Sequence, residues 1–461
     1  MLVSLYTGFC SHLLFPLHER LKGHDSVVVR KRLEESQWWP ADRLAAYRVE
    51  RLREFLVDIG QRVPLYRDLF KHLAFEPTSV DTLEALSALP LLAKQDIRAN
   101  VERIKADGHG PLTRYNTGGS SGEPLIFYMG KGRKTHDVAA KWRATRWWGV
   151  DIGDRELVVW GSPIELGAQD RLRRLRDGLM RSHLLPAFEM SAANLDRFVD
   201  TIRRTRPAML FGYPSSLSLI AHHARQSGLD MSELGIRVAF VTSERLYDEQ
   251  RAVISEVFAC PVANGYGARD AGFIAHECPA GSLHISAEDI IVETVRADGA
   301  STARGESGEI IVTHMATGDF PFLRYRTGDV GILSDRPCAC GRGLPVLEAV
   351  EGRTTDFVVA HDGTVMHGLA LIYTVRDLPG VESFKIEQMS IDETAVRVVA
   401  GPAFDRAAEE RIVSDFKARL GDAVDIRVEK VSAIPCEASG KYRYVVSHIK
   451  TPARVLDCRN A

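Results

Sequence analysis

Between residues 44 and 59 apolar side chains recur at Leu44, Tyr47, Leu52, Phe55, Leu56 and Ile59. That spacing predicts one face of an amphipathic helix, and Pro64 ends the pattern. The first hundred or so residues read as helices throughout. From about residue 156 the pattern changes. ELVVWG, AMLFGY, VAFVTS and PVANGY are short apolar runs rich in β-formers. Between the first two lies a helical face of Leu195, Phe198, Val199 and Ile202. Between the next two lies one of Leu217, Ile220, Ala221 and Ala224. Strands alternating with helices predict a mostly parallel sheet covered by helices. IIVET and GEIIVTH follow with no helix between them, which predicts a smaller antiparallel layer.

A second change comes at EGRTTDFVV. Beyond it the pattern predicts a strand (357–360), a helix (367–377), two strands (381–389 and 394–400), a helix (404–420) and a strand (424–430). That order is the split βαβ plan of a small α+β domain. The expected organisation is a large α/β domain over 1–351, a hinge at 352–356 and a small mobile domain over 357–461. No repeat or low-complexity segment interrupts it.

Composition narrows the class. The 461 residues exceed one compact domain and suffice for two or three. They are 45% hydrophobic and 26% charged, with 59 basic and 61 acidic side chains and a net charge of −2. This balance gives no reason to expect nucleic acid or an acidic membrane as the main partner. The run RLRRLRDGLMR carries Arg171, Arg173, Arg174, Arg176 and Arg181. It reads as a solvated helix face, with a landing patch for phosphates or anionic lipid as the alternative. Cys10, Cys260, Cys278, Cys338, Cys340, Cys436 and Cys458 are odd in number and lack the spacing of a disulfide scaffold. A reduced, cytoplasmic compartment fits. LVSLYTGFCSHLLFPL is apolar but too short to span a bilayer and lacks the basic start of a signal peptide. It reads as a helix packed on the main domain, with a weak membrane-surface contact as the lesser alternative and no stable insertion.

Five motifs carry chemistry. TGGSSGEP, from Thr117 to Pro124, supplies glycines and hydroxyls that let backbone amides approach phosphates. It lacks the Gly-Lys-Ser/Thr of a Walker loop, and a flexible surface loop would look similar. GYGARD, from Gly265 to Asp270, follows an apolar strand, where parallel sheets bind ligands. There Tyr266 can stack on a base and Asp270 can hold a divalent cation, although a strand-to-turn junction is the plainer alternative. YRTGDVG places Asp329 after a glycine turn, suited to the two hydroxyls of a ribose or to a simple hairpin. EGRTTDF marks the domain break. PCEASGKYR carries Lys441 on a glycine-flanked loop.

In this order and spacing the motifs resemble those of the adenylate-forming superfamily: acyl-CoA synthetases, adenylation domains and luciferases. ERLKGHD, QWWP, VPLYRDLF, FGYPSSL and CACGRGLP narrow the resemblance to phenylacetate-CoA ligases and their CapK-type relatives found with polysaccharide genes. The resemblance covers nearly the whole chain. It implies that Thr117, Gly118, Gly119, Ser120, Ser121 and Gly122 hold the ATP phosphates. It implies that Tyr266 packs on adenine beside Gly267 and Arg269, that Asp270 stands near Mg²⁺, and that Asp329 binds ribose beside Arg353. Lys441 is implied as the catalytic lysine, because carboxylate and ATP are both anions whose repulsion must be offset. Three positions depart from the pattern: Glu123 for lysine, Arg269-Asp270 for Thr-Glu, and Thr355 for an acidic hinge residue. They put transfer to coenzyme A in more doubt than adenylation.

A metal site is expected apart from the nucleotide motifs. Cys278, His284, Cys338 and Cys340 together offer a four-ligand, hence structural, zinc set; buried free thiols are the alternative, and His276 lies nearby. Trp160, Tyr213, Phe240 and Ala268 are expected around an aryl or arylalkyl acid. The leading expectation is an acid–CoA ligase using ATP, Mg²⁺, a small carboxylic acid and coenzyme A. Transfer of the acyl group to an amine or sugar hydroxyl, and a non-catalytic nucleotide-binding protein, are the alternatives. The sequence leaves the acid, the acyl acceptor and the oligomeric state open, a homodimer included.

Overall fold

The computed structural model describes residues 4–117, 125–160, 171–187, 189–244, 246–296, 298–350, 357–434 and 444–449. The helical periodicity near the start becomes the helix Ala41–Arg62, which buries Leu44, Leu52, Phe55, Leu56 and Ile59. Pro64 does more than end it. It opens the next helix, Pro64–His72, where its missing N–H costs nothing. The helices Ala192–Thr205 and Pro214–Gln226 bury the apolar faces expected of them.

The strands are β1 (Thr113–Asn116), β2 (Ile126–Met129), β3 (Glu156–Trp160), β4 (Ser182–Pro186), β5 (Glu189–Met190), β6 (Met209–Gly212), β7 (Val238–Thr242), β8 (Val262–Ala268), β9 (Gly272–Glu277) and β10 (Leu283–Ile285). They continue with β11 (Ile290–Val295), β12 (Ser307–His314), β13 (Phe322–Leu333) and β14 (Val346–Val350). Eleven of them form one sheet, in the order β11-β12-β13-β14-β10-β9-β8-β7-β6-β3-β4. β4, β3, β6, β7 and β8 are parallel neighbours. From β8 onward the pairing is antiparallel. The expected separate antiparallel layer is therefore the other half of the same mixed sheet. The join is the tight β8–β9 hairpin. Gly267 permits it, since a Cβ there would lie 2.4 Å from the Gly272 carbonyl oxygen. One apolar core packs Leu157, Val159, Leu210, Ala239 and Val241 against the two helices. Another fills the antiparallel half with Phe127, Ile274, Ile310, Phe322 and Tyr325.

The smaller C-terminal α+β domain contains β15 (Phe357–Val359), β16 (Val365–His367), β17 (Val381–Ser390), β18 (Glu393–Ala400), β19 (Asp425–Lys430) and β20 (Val445–Ser447), with helices Leu369–Arg376 and Arg406–Leu420. Its sheet runs β19-β18-β17-β20. This corrects the split βαβ plan. β18 and β19 are adjacent and parallel, so their helical crossover encloses no strand. The short β20 occupies the edge beside β17. β15 pairs instead with β16, which continues to β5 of the larger domain. The Gln388 side chain holds β15 in place, accepting from Val359 N at 2.9 Å and donating to Val359 O at 2.6 Å.

Candidate active site

In the parallel half the chain adds β4 on one side of β3 and then β6 on the other. Between the carboxyl ends of β3 and β6 the flanking connections diverge and leave a crevice. Trp160 closes β3 and Tyr213 follows β6, and their rings stack with centroids 4.3 Å apart. The crevice opens into a cleft of about 1180 Å³. Its walls include Thr117, Trp160, Phe211, Tyr213, Tyr266, Gly267, Ala268, Arg269, Asp270, Thr327 and Asp329, with Tyr373 from the smaller domain. Phe240, expected in the acid pocket, is instead core. It lies behind Phe211, ring centroids 5.9 Å apart, and is 1% exposed.

The motif residues converge here. Tyr266 donates its hydroxyl to Asp329 Oδ2 at 3.1 Å. The Asp329 amide donates to Thr327 Oγ1 at 3.1 Å, and Gly328 takes the positive φ of 76° that turns the strand. Asp270 is buried. Its Oδ2 accepts from the Tyr325 hydroxyl and its Oδ1 from the Ala271 amide. Arg269 reaches the carbonyl of Asn116 at 3.4 Å. Thr117 exchanges backbone and hydroxyl hydrogen bonds with Leu125 at 3.0 and 2.9 Å, bracketing the glycine-rich segment. Gly118, Gly119, Ser120, Ser121, Gly122 and Glu123, the 352–356 hinge with Arg353 and Thr355, and Lys441 lie outside the described residues.

Two contributors escaped the sequence reading. Tyr325 stands four residues before Asp329, but the register shift and the Gly328 turn between them break the simple alternation that would have linked the two in the sequence. Arg133 had no signal at all. It is 2% exposed and donates to the carbonyls of Asp270 (3.0 Å) and Arg269 (3.2 Å), holding the turn from below. Its Nε pairs with Asp137 at 2.8 Å. Burial opposes ionisation of Asp137, but Arg133, with His136 and His314 nearby, holds its carboxyl well below the usual range. Burial pushes the His314 imidazole down to about 3.

The four expected metal ligands also meet. Ligand atoms of Cys278, His284, Cys338 and Cys340 all lie within 4.8 Å of one another. Cys278 Sγ and Cys338 Sγ are 3.7 Å apart, and His284 Nε2 and Cys340 Sγ 3.2 Å. A tetrahedral zinc with bonds of about 2.3 Å to sulfur and 2.0 Å to nitrogen sets those separations at about 3.8 and 3.5 Å. His284 Nδ1 meets the Leu344 carbonyl at 3.1 Å, which fixes the tautomer and frees Nε2 for a metal. Burial pushes this imidazole down to about 4, so it is neutral as a ligand must be. The donor set fits zinc.

A mixed sheet with a switch-point cleft and a small α+β domain at its mouth is the fold of the adenylate-forming CoA ligases. A 2-hydroxyisobutyryl-CoA ligase, solved with 2-HIB-AMP and CoA in the thioesterification state, superposes with a TM-score of 0.62 at 18% identity, over 92% of this chain and 93% of that one. The same ligase in its postadenylation state gives 0.59. Within that fold the chain is a homologue of proteins named CapK and phenylacetate-coenzyme A ligase. It is 25% identical to protein CapK of Staphylococcus aureus over 406 residues, 87% of this chain and 88% of that one. It is 24% identical to the phenylacetate-coenzyme A ligase of Thermus thermophilus over 393 residues, 83% and 87% respectively. Residues 358–448 match the family model of the CapK C-terminal domain.

Proposed function

We propose that the cleft joins a carboxylic acid to AMP at the expense of ATP and passes the acyl group to coenzyme A, as an AMP-forming acid–CoA ligase. The observation that carries this reading is the Tyr266–Asp329 pair, set in one cleft with Thr117 and the Arg269-Asp270 turn. The aromatic ring of Tyr266 offers a face to adenine, and Asp329 offers acceptors to the ribose hydroxyls. Thr117, with Gly118, Gly119, Ser120, Ser121 and Gly122, offers hydroxyls and amides to the phosphates. Mg²⁺, near Asp270, would supply charge neutralisation between ATP and the incoming carboxylate. By the family resemblance, Lys441 would offer a further positive charge and Arg353 would stand beside the ribose. The stacked Trp160–Tyr213 wall and Phe211 suit a flat, apolar acid. The homologous phenylacetate-coenzyme A ligases and the 2-hydroxyisobutyryl-CoA ligase support the same chemistry.

The direct test is acid-dependent exchange of pyrophosphate into ATP across a panel of aryl and arylalkyl acids, followed by addition of CoA. Exchange with no acid in the panel, with intact protein, would sink the reading. Exchange without thioester formation would transfer the second step to an amine or hydroxyl acceptor. Separately, we assign Cys278, His284, Cys338 and Cys340 to a structural zinc ion, which would tie the loop before β14 to the β9–β10 hairpin.

A further inference from the structure

The residues from 5 to 21 form one helical rod: an α-helical turn (Leu5–Phe9), a π turn (Cys10–Leu14) and a second α segment (Phe15–Leu21). Its buried face is of mixed polarity and its outer face is strongly apolar. The face against the protein carries Thr7, Cys10, Ser11, Phe15 and Glu19, all 9% exposed or less. Thr7 donates to Asp154 at 2.9 Å, and the Glu19 carboxylate accepts from Ser26. The face against water carries Leu5, Phe9, Leu13, Leu17 and Leu21, exposed by between 48% and 96%.

These five positions are spaced four residues apart. In an unbroken α-helix each such step overshoots a full turn by about 40°, so the row would wind around the rod. The π turn takes in an extra residue per hydrogen-bonded loop and turns the row back. The result is one apolar edge about 25 Å long. The helix Arg171–Leu179 lies beside it. The Leu179 carbonyl accepts from Tyr6 at 2.8 Å, Arg181 sits 3.9 Å over the Tyr6 ring, and Leu175 and Leu179 extend the exposed apolar surface. Residues 171–181 contain five arginines and one acid, and Arg20 and Lys22 are exposed at the end of the rod.

We infer that this edge rests on the surface of an anionic lipid membrane, with the leucines in the acyl boundary and the basic residues among the head groups. A bare leucine face is what an interfacial helix needs and what a water-facing helix avoids. No helix among the described residues is long and apolar enough to cross a membrane, so the contact is peripheral. The charge pattern selects lipid over a second copy of the chain. A two-fold contact would set the same basic rim against itself, whereas anionic head groups neutralise it. The inference does not depend on the chemistry of the cleft.

The test is co-sedimentation of the full chain with vesicles of phosphatidylcholine containing about 30% phosphatidylglycerol, and with phosphatidylcholine alone. Wild type is expected to partition at least tenfold more strongly onto the anionic vesicles, and to be released by high salt. Leu5→Ser/Phe9→Ser/Leu13→Ser is expected to lose binding with an unchanged thermal midpoint. Arg20→Glu/Lys22→Glu is expected to lose the preference for anionic lipid. If the triple variant unfolds, Phe9→Ser alone gives the same comparison. Absence of vesicle binding by folded wild type, or equal binding by the serine variant, overturns the inference. So does a dimer, detected by light scattering and abolished by the serine changes, in a protein that ignores vesicles.

Discussion

Tyr266 on β8 and Asp329 on β13 share a 3.1 Å hydrogen bond although four strand steps separate them in the sheet. On a flat sheet those steps, at about 4.8 Å each, would put them roughly 19 Å apart. The antiparallel half must therefore curl back over the end of the parallel half. The same curl carries Tyr325 of β13 to Asp270. The cleft is thus a product of sheet curvature, and its two principal motifs meet only once the sheet is complete.

Asp329→Ala should raise KM for ATP by about tenfold or more, the scale of losing hydrogen bonds to a charged acceptor. kcat should change little, since ribose contacts act alike in the ground and transition states. Tyr266→Phe, which removes only the hydroxyl, should have a smaller effect in the same direction. Calorimetry that finds unchanged nucleotide affinity in Asp329→Ala would remove Asp329 from the site.

For Lys441→Ala the expected loss is in kcat of adenylation, by about 10²-fold or more, with ATP affinity and thermal midpoint retained. The measurement is pyrophosphate exchange with the best acid. Near wild-type exchange would discard the assignment.

Zinc should be present at about one ion per chain in protein purified without chelator. Cys340→Ser or chelation should lower the thermal midpoint before it alters nucleotide binding. A metal-free preparation of equal stability contradicts the site.

Arg133→Met should destabilise the fold by about 3 kcal/mol, because it leaves half-buried Asp137 without its guanidinium partner and two turn carbonyls without donors. Adding Asp137→Leu should recover part of that loss. Denaturant unfolding of the two variants decides the matter, and an equally unstable double variant would assign the loss to the turn carbonyls alone.

His314 gives the chain an acid-sensitive core. Its folded value of about 3 lies below the ordinary histidine value of 6.5. The unfolded chain therefore binds the proton first. The stability this imidazole contributes is complete above about pH 6.5 and is lost as pH falls toward 3. His314→Gln should flatten the fall over that window by up to about 1.4 kcal/mol per pH unit relative to wild type. Parallel wild-type and variant curves would show that this imidazole does not titrate with unfolding.

Much of this was legible in the chain. Helical periodicity placed Phe198 and Ile220 on buried faces, and the family resemblance of the motifs assigned Thr117, Tyr266, Asp270 and Asp329 to one site, which the structure sets in one cleft. Cys278, His284, Cys338 and Cys340 were legible because thiol and imidazole donors are rare enough to notice. What escaped depended on three-dimensional closure. Phe240 looks like Phe211 in any local window, and only the depth of β7 sends it to the core. β20 is three residues long and owes its place to the open edge of β17. Arg133 reads as one more helical cation until the turn above it is seen.

The strand order has a consequence for how the chain assembles. β8–β9–β10 and β11–β12–β13 are each contiguous hairpin blocks, but β14 is the strand that lies between β10 and β13. Until Val346–Val350 leaves the ribosome, both blocks present an open edge to the cell. A nascent or truncated chain ending before residue 346 would carry two unpaired strand edges and a split apolar core, the state most prone to aggregate. Cys338 and Cys340 emerge just ahead of this last strand. Their capture by Cys278 and His284 would shorten the search β14 must make for its slot.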